Sequence, residues 1–554
     1  MSLPALLLVA ATAVQVVGPL FSYPRRGRRL LWLVILGLLG WQLWHDSLLL
    51  GMVPVYLLLV VMFLAFGYRS YRLWRGKSVG RRRWLRVVGV LLSLPFLAIP
   101  VLEATLLPLE PADYRQASWT DAFDGLHETL QQRYAFGEWK RVPWDDLYAE
   151  HYPDITKAAR SEDREAYYAA LRSYIFNLPD GHVSIYSDFH DEAMRAEIGG
   201  GFGFAALRLD GGRVIAHIVE AGGSAARAGM TWGAEILRWD NKPINEAVQE
   251  VPTLWASRPP ATLETLSIAR HQLLTRAPVG TERRVTFRNQ GASQAQTVTL
   301  KARDDSYRTY EKSVYWQMYE SPIEAVQYRI LEDDIGYIHT SSLESSPNVL
   351  KPAEEMERAV QHMVDQNVQA LILDVRGNRG GLDTLVPQIM SYFAPVKLHY
   401  EDISYYNRWV ETLKLMSLHI KPNDLQFINP VTVLIDHRTK SSGEGFGLVA
   451  KRLPNANVVG MHATDGSFGM SSASVFLPEG IEVGYPWGQS LDKNGVVQVD
   501  SNHALEGGVQ PDVLVPLTFE TAEAIYLGND DVVLEFAHDL LQKQLQRSRA
   551  SAPN

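Results

Sequence analysis

The chain has 554 residues, no cysteine and a formal net charge of -9 at pH 7. This length exceeds what one hydrophobic core organises, so several domains are expected. The acidic balance, with no basic stripe beyond the first hundred residues, argues against a nucleic-acid partner. The absence of cysteine excludes a thiol nucleophile, a disulfide framework and a thiolate metal site.

The N-terminal part of the chain predicts a membrane region. Four apolar runs occur within residues 1–108, most of them near the ~20 residues that a spanning helix needs. Basic loops, "RRGRR" and "YRSYRLWRGKSVGRRRWLR", separate the first run from the second and the third from the fourth. By the positive-inside rule these loops are cytoplasmic. We therefore expect a multi-pass protein of the bacterial inner membrane, in contact with the lipid bilayer, with the later residues on the periplasmic or extracellular side.

The rest of the chain divides into four segments that differ in their pattern of apolar residues. Residues 113–195 show helical spacing of apolar residues and predict a helical subdomain, whereas residues 196–303 contain short alternating strands broken by glycine pairs. Strands and helices then alternate over residues 304–528, which predicts an α/β core, and residues 529–554 predict a C-terminal helix and tail.

The stretch "GGGFGF" is followed by a strand, whereas a phosphate-binding loop is followed by a helix. The stretch "GFGFAALRL" resembles the carboxylate-binding loop and second strand of a PDZ domain. That resemblance implies a peptide-binding role for Gly201, Phe202, Gly203 and Phe204. The alternative is a β-rich insert without this function.

Two motifs indicate acyl-transfer chemistry. The strand "LILDV" leads into the turn "RGNRGG", and the strand "VTVLID" leads into "SSGE". Glycines let backbone amides approach a substrate oxyanion, and a helix start adds a positive end. The pattern "SSGE" is also compatible with an ordinary capping box. Together the motifs resemble the C-terminal processing serine peptidases and the tricorn core peptidase, which implies a ClpP/crotonase-like core. The resemblance implies Ser441 as nucleophile, Gly380 or Gly381 and Ser442 as oxyanion donors, and Glu444 as helix-turn support.

A serine nucleophile needs a base. Met470 stands where the processing peptidases have a lysine, so a Ser-Lys dyad is not expected. The segment "LPDGHVSI" instead resembles the "D-G-H-T" element of the tricorn-like branch, which implies His182 as base. His462, in "VVGMHATDG", is the competing candidate because it lies close to the missing lysine.

The segment "LEGGVQPDV" resembles the element in which that branch carries a glutamate that orients the histidine. It implies this role for Glu506, although its spacing to the valine is one residue shorter than usual. Asp180 or Ser184 could share the task.

The sequence thus predicts a membrane-anchored serine endopeptidase that acts on extracytoplasmic proteins or peptides and can engage them through their C-termini. No metal or other cofactor is expected, because no His/Glu cluster has metal-ligand spacing. Two alternatives stay open: a catalytically silent binding protein, as in the similarly organised interphotoreceptor retinoid-binding proteins, and a membrane scaffold that docks C-termini. The sequence names neither the substrate nor the oligomeric state.

Overall fold

The computed structural model describes residues 111–314, 325–344, 352–408 and 411–551. Residues Pro111–Asn554 form one compact unit. Across the described ranges, no helix combines the length and the apolar character that a membrane span requires. The transmembrane region predicted for residues 1–108 lies outside the described residues and stays a prediction.

The helical region is built from amphipathic helices around buried aromatic rings. Its N-caps follow from the sequence: the Ser118 hydroxyl accepts the Asp121 N–H, and the Asp163 carboxylate accepts the Ala166 N–H. The elements are β1 (Ala112–Asp113), α1 (Trp119–Arg133), α2 (Trp144–Ser161), α3 (Arg164–Ile175), β2 (Ser184–Tyr186) and α4 (His190–Ile198).

A distant part of the chain completes this core. Strands β19 (Ala473–Phe476) and β20 (Glu482–Tyr485) join β1 and β2 in a four-stranded sheet of order β1-β19-β20-β2. Val475 and Val483 on these strands belong to the same hydrophobic cluster as the helices. The helical region and the α/β core are therefore not independent bodies, because the hairpin of β19 and β20, which belongs to the core segment of the chain, packs in the helical region.

The β-rich region has a main sheet of order β10-β9-β6-β5-β4, with β7 paired to β6, and a small sheet of order β11-β3-β8. The strands are β3 (Gly200–Gly201), β4 (Phe204–Arg208), β5 (Val214–Val219), β6 (Glu235–Trp239), β7 (Lys242–Pro243), β8 (Arg276–Ala277), β9 (Glu282–Arg288), β10 (Gln296–Lys301) and β11 (Arg303–Asp304). The helices are α5 (Ser224–Arg227), α6 (Ile244–Gln249), α7 (Leu263–Leu274) and, after β11, α8 (Arg308–Val314). Strand β4 therefore lies at a sheet edge.

The α/β core has a sheet of order β12-β13-β14-β17-β18-β22. Strands β13 to β22 of this sheet pair in parallel, whereas β12 is antiparallel at the edge. The strands of the core are β12 (Val326–Ile330), β13 (Ile335–Thr340), β14 (Ala370–Asp374), β15 (Leu398–Asn407), β16 (Glu411–Ile420), β17 (Val431–Leu434), β18 (Ala456–Gly460), β21 (Gly488–Leu491) and β22 (Val513–Leu514). The helices are α9 (Pro352–Asp365), α10 (Leu385–Met390), α11 (Glu444–Ala450), α12 (Phe519–Glu523) and α13 (Val532–Ser551).

Helices cover both faces of this sheet, which explains why β14 and β17 are buried along their whole length. Helices α9, α10 and α11 pack on one face, and α13 packs on the other through Val533, Ala537 and Leu541. The C-terminal helix is thus a layer of the core. Strands β15 and β16 form a long hairpin that pairs with β21. The predicted mixed α/β, multidomain class is confirmed for the described part of the chain.

Candidate active site

Two turns meet at the carboxyl end of the parallel sheet. Strands β14 and β17 are neighbours, with Asp374 paired to Leu434 at their ends. The glycine-rich turn that follows β14 and the serine turn that follows β17 therefore leave the sheet side by side. This edge of an α/β sheet is where ligands generally bind.

Hydrogen bonds fix the two turns against each other. Asp436 Oδ1 accepts the N–H of Gly377 at 2.9 Å, and the Lys440 N–H donates to the Asn378 carbonyl at 2.9 Å. The Thr439 hydroxyl donates to the Val375 carbonyl at 3.0 Å. These bonds span about sixty residues of sequence, so the position of each turn depends on the other.

Ser441 occupies the point where the second turn enters a helix. Its φ of +56° lies in the left-handed region, which is an uncommon conformation for a serine. A short 3₁₀ turn, Ser441–Gly443, leads directly into α11. The Ser441 side chain is partly exposed, and its hydroxyl makes no hydrogen bond within the described part of the chain. It is therefore presented to solvent at the head of a helix.

Two backbone amides beside Ser441 are available to an oxyanion. Among the described residues, neither the Ser442 N–H nor the Gly381 N–H has a hydrogen-bond acceptor. The Gly380 N–H, in contrast, donates to Asn378 Oδ1 at 2.8 Å, so the structure does not present it as a donor. The sequence had left Gly380 and Gly381 as alternatives, and the geometry favours Gly381.

Gly380 has a steric role instead. Its φ is +86°, and a Cβ atom there would lie 2.7 Å from Ser442 N and 2.8 Å from Ser441 Cβ. Only glycine allows this contact between the two turns. The Ser442 hydroxyl donates to Asp383 Oδ1 at 2.5 Å, and burial raises the pKa of Asp383 to about 6.

Glu444 is fully buried and supports a third loop. Its carboxylate accepts the Ser467 N–H at 3.0 Å, the Gly466 N–H at 3.0 Å and the Thr464 hydroxyl. Burial raises its pKa to about 8 in spite of these three donors. The helix-turn support predicted for Glu444 thus extends to residues 464–467, which follow β18.

The loop carrying His182 lies against that third loop. The Gly181 N–H donates to Ser467 Oγ at 2.8 Å, and the Ser441 N–H donates to the Ser467 carbonyl at 3.0 Å. The Lys440 ammonium also donates to the Gly181 carbonyl at 2.7 Å. The residues that flank His182 and Ser441 are therefore directly bonded and the two loops lie side by side, whereas neither His182 ring nitrogen makes a hydrogen bond with the Ser441 hydroxyl.

The His182 imidazole is almost fully buried. Its side chain is 5% exposed, and neither ring nitrogen makes a hydrogen bond within the described residues. Asp180, below it in the turn, accepts the His182 N–H at 2.8 Å, while its Oδ1 lies 3.9 Å from His182 Nδ1. Burial lowers the pKa of His182 well below its ordinary value, and the charges of Lys440, Lys140 and Arg258 lower it further. A buried, neutral, unpartnered imidazole is available for proton transfer.

Two sequence-based candidates, Glu506 and His462, lie elsewhere. Glu506 is exposed and its carboxylate accepts the Asn502 side-chain amide at 3.1 Å, so the structure does not place it as the orienting group of His182. His462 Nδ1 lies 2.6 Å from Oε1 of Glu264, a residue of α7. Met470 packs as a buried apolar residue. Asp180 belongs to the same turn as His182, but its carboxylate accepts the Tyr134 hydroxyl at 2.9 Å and the His182 backbone N–H at 2.8 Å and makes no hydrogen bond with the imidazole.

The predicted peptide-binding loop is packed within the β-rich region. Phe202 and Phe204 are fully buried, and Gly203 has a φ of +83°. The Phe202 N–H donates to the Thr275 carbonyl at 3.4 Å, and the Gly201 backbone pairs with β8 and β11. These contacts hold the start of β4 in place.

Several site residues had no signal in the sequence. Lys440, Ser467 and Asp383 act through contacts between distant segments, and only the position of Lys440 beside the nucleophile could have indicated it. No group of three or more His, Asp or Glu side chains in the described residues is arranged to hold a metal ion.

A serine at a strand-to-helix turn, two backbone amides without acceptors beside it and an imidazole without a hydrogen bond on a neighbouring loop are the groups that a serine hydrolase requires. Comparison with known proteins narrows this class. Residues 334–515 match the model of peptidase family S41, so this segment is a peptidase family S41 domain. The resemblance inferred from "DVRGNRGG" and "SSGE" is confirmed.

Several individual proteins are also similar to this chain. The carboxy-terminal processing protease CtpB of Bacillus subtilis (strain 168) is 25% identical over 234 residues, which are 38% of this chain and 43% of CtpB. The chain thus matches less than half the length of that curated relative. Mature CPAF, solved in complex with lactacystin, has a TM-score of 0.53 and 15% identity, covering 77% of this chain and 99% of CPAF, and it shows a shared fold. The tricorn protease is similar at a TM-score of 0.37 and 15% identity, covering 77% of this chain and 37% of that protein.

Proposed function

We propose that the chain is a serine endopeptidase in which Ser441 is the nucleophile and His182 is the general base. The observation that carries the proposal is that Ser467 bonds both loops. Its hydroxyl oxygen accepts the N–H of Gly181, the residue before His182, and its backbone carbonyl accepts the N–H of Ser441. The S41 domain supports the reaction class.

The proposed reaction has two steps. Ser441 Oγ attacks the carbonyl carbon of a peptide bond while His182 accepts the hydroxyl proton. The N–H groups of Ser442 and Gly381 stabilise the oxyanion, and the C–N bond breaks as His182 returns the proton to the leaving amine. Water, deprotonated by His182, then hydrolyses the ester on Ser441 and restores the enzyme.

Labelling with a fluorophosphonate tests the proposal and separates it from a catalytically silent binding protein. We expect wild-type chain to be phosphonylated at Ser441, Ser441→Ala to be unlabelled, and His182→Ala to react about 10²- to 10⁴-fold more slowly. His462→Ala and Ser404→Ala are matched controls and should react normally, since His462 pairs with Glu264 and Ser404 bonds Gln489. Absence of labelling in the wild type would favour the binding protein.

We also propose that residues 1–108 anchor the enzyme in the membrane with its site outside the cytoplasm. The support is the sequence: apolar runs of spanning length alternate with basic loops. An alkaline-phosphatase fusion at about residue 112 should be active and one near residue 78 inactive. The reverse pattern would contradict this orientation.

The β-rich region is proposed to bind substrate C-termini as a PDZ domain does. The support is that β4, directly after "GFG", is an edge strand able to pair with an added peptide strand. Fluorescence anisotropy with one peptide carrying either a free or an amidated C-terminus tests this. We expect amidation to abolish binding, and equal binding would argue against carboxylate recognition.

A further inference from the structure

Lys440 joins the nucleophile turn to the histidine loop. It directly precedes Ser441, and its backbone N–H donates to the Asn378 carbonyl at 2.9 Å. Its ammonium group reaches in another direction and donates to the Gly181 carbonyl at 2.7 Å. Because Gly181 directly precedes His182, one side chain connects the two turns that carry the proposed nucleophile and base.

The ammonium group is held by a neutral acceptor. Among the described residues, the Gly181 carbonyl is its one hydrogen-bond acceptor, and no carboxylate lies within 4.0 Å of it. Its positive charge is therefore not neutralised by direct contact. An ammonium group in such surroundings acts strongly on other charges nearby.

The His182 imidazole is the group on which this charge acts. A proton on His182 would place a second positive charge in the same buried space, where neither ring nitrogen has a protein partner among the described residues. Other charges from the surrounding elements also act here. Those facing His182 or Lys440 are Asp180, Lys140, Arg258, Arg379 and Asp465. Lys140 and Arg258 act on His182 in the same direction as Lys440, whereas Asp465 and Asp180 favour the charged form of Lys440 and Arg379 opposes it.

We propose that Lys440 is a positioning residue for the base: its ammonium group holds the turn of His182 against the nucleophile turn, and its charge keeps the imidazole neutral. This rests on the proposed Ser441–His182 mechanism. It goes beyond it because Lys440 exchanges no proton with substrate. A neutral imidazole can accept the Ser441 proton, whereas an imidazolium cannot.

The test measures the second-order rate constant for phosphonylation of Ser441 by a fluorophosphonate across about pH 3 to 9, on the full chain. The variants are Lys440→Met, Lys440→Gln and Lys440→Arg. Lys451→Met is the matched control, because Lys451 also donates to a backbone carbonyl, that of Gln510 at 2.9 Å, at the far end of α11. Far-UV circular dichroism checks that each variant is folded.

The acid limb of the profile is the low-pH range in which the rate falls as His182 becomes protonated. We expect the midpoint of this limb to lie about one pH unit higher in Lys440→Met and Lys440→Gln, because loss of the charge lets His182 protonate more easily. Lys440→Arg keeps charge and donor and should keep the limb in place, as should Lys451→Met. The plateau rate should fall about 10- to 100-fold in Lys440→Met through misplacement of His182. Should Lys440→Met not fold, the comparison of Lys440→Gln with Lys440→Arg carries the test.

The outcomes separate this proposal from the proposed function. If the wild type is not phosphonylated at Ser441, both are wrong. If the wild type reacts but Lys440→Met or Lys440→Gln keeps the wild-type acid limb, or shifts it downwards, only the role of Lys440 is overturned. A Lys440→Arg variant as inactive as Lys440→Met would also overturn it, because such a result requires the lysine amine itself.

Discussion

The hydroxyl oxygen of Ser467 accepts a hydrogen bond from the N–H of Gly181 at 2.8 Å, although 286 residues of sequence separate the two. Ser467 is fully buried, and its own N–H is held by Glu444 at 3.0 Å. The loop of the proposed base is therefore fixed by the catalytic domain, and the helical region cannot be removed without losing the site.

Replacement of Ser467 by alanine should uncouple the two loops. The variant leaves the buried Gly181 N–H without its acceptor, which costs about 1 to 3 kcal/mol of stability. A displacement of His182 near 1 Å should lower fluorophosphonate reactivity about 10- to 100-fold. Rates of labelling, together with thermal unfolding midpoints, measure both effects.

Ser404→Ala is the control for this change. Ser404 is equally buried and its hydroxyl donates to the Gln489 carbonyl at 2.9 Å, away from the site. We expect a comparable loss of stability with normal reactivity. Equal loss of reactivity in both variants would indicate general destabilisation.

Alanine at Gly380 should displace the nucleophile. Its Cβ would meet Ser442 N at 2.7 Å and Ser441 Cβ at 2.8 Å, so the serine turn must move. We expect labelling to fall about 100-fold or more. Gly377→Ala isolates the backbone strain, because Gly377 has a similar φ of +73° with no heavy atom within 4 Å of a Cβ. It should cost about 1 kcal/mol and leave labelling nearly normal, and equal inactivation would contradict the steric argument.

The sequence could predict the parts of the site that are encoded locally. Strands β14 and β17 are short apolar runs because both faces are covered, and their ends carry the motifs that indicate Ser441. His182 was indicated by its resemblance to a three-residue element. None of these signals gives the distance between the loops, which depends on contacts such as those of Ser467.

The failures also have physical causes. The hairpin of β15 and β16 was missed because buried polar groups, including Glu401 and Ser404, interrupt the apolar alternation that indicates a strand. Glu506 was predicted to orient His182, but its N–H donates to Asn502 Oδ1 at 3.2 Å in a local exposed turn. Short-range bonds of this kind decide the direction of a loop side chain and are not visible in motif spacing.

The buried Glu444 should make stability depend on pH in a defined direction. Burial raises its pKa from an ordinary value of 4.5 to about 8, so the folded chain holds a proton that the unfolded chain has lost between these values. This contribution is fully present below about pH 4.5 and is lost as the pH rises through about 8. Glu444→Gln should therefore flatten the decline of the unfolding midpoint between about pH 5 and 8.

Glu482→Gln is the control for loss of a carboxylate. Glu482 accepts the Ser474 hydroxyl at 2.6 Å in a part-buried position outside the site. Its variant should keep the wild-type slope. If Glu444→Gln also keeps that slope, Glu444 does not carry the buried proton.

Among the ion pairs substituted here, those of Arg376 should contribute most to the stability of the core. It bonds Asp374 through Nε at 3.0 Å and Nη2 at 2.6 Å, and it bonds Asp531, just before α13, at 2.7 Å and 2.8 Å. Its side chain is 7% exposed and that of Asp374 is fully buried. Arg376→Met leaves a buried carboxylate without its main counter-charge and should cost about 3 to 5 kcal/mol, with early loss of α13 from the sheet.

Arg115 provides a control with the same bidentate geometry. It contacts Asp113 through Nε at 2.9 Å and Nη2 at 2.6 Å, but its side chain is 58% exposed. Water and salt screen that pair, so Arg115→Met should leave the unfolding midpoint unchanged. Thermal unfolding at low and high salt, with proteolysis near residue 531 as a probe of α13, distinguishes the two. Similar midpoints for both variants would mean that burial of the Arg376 pair does not determine its contribution, because geometry is the property that the two pairs share.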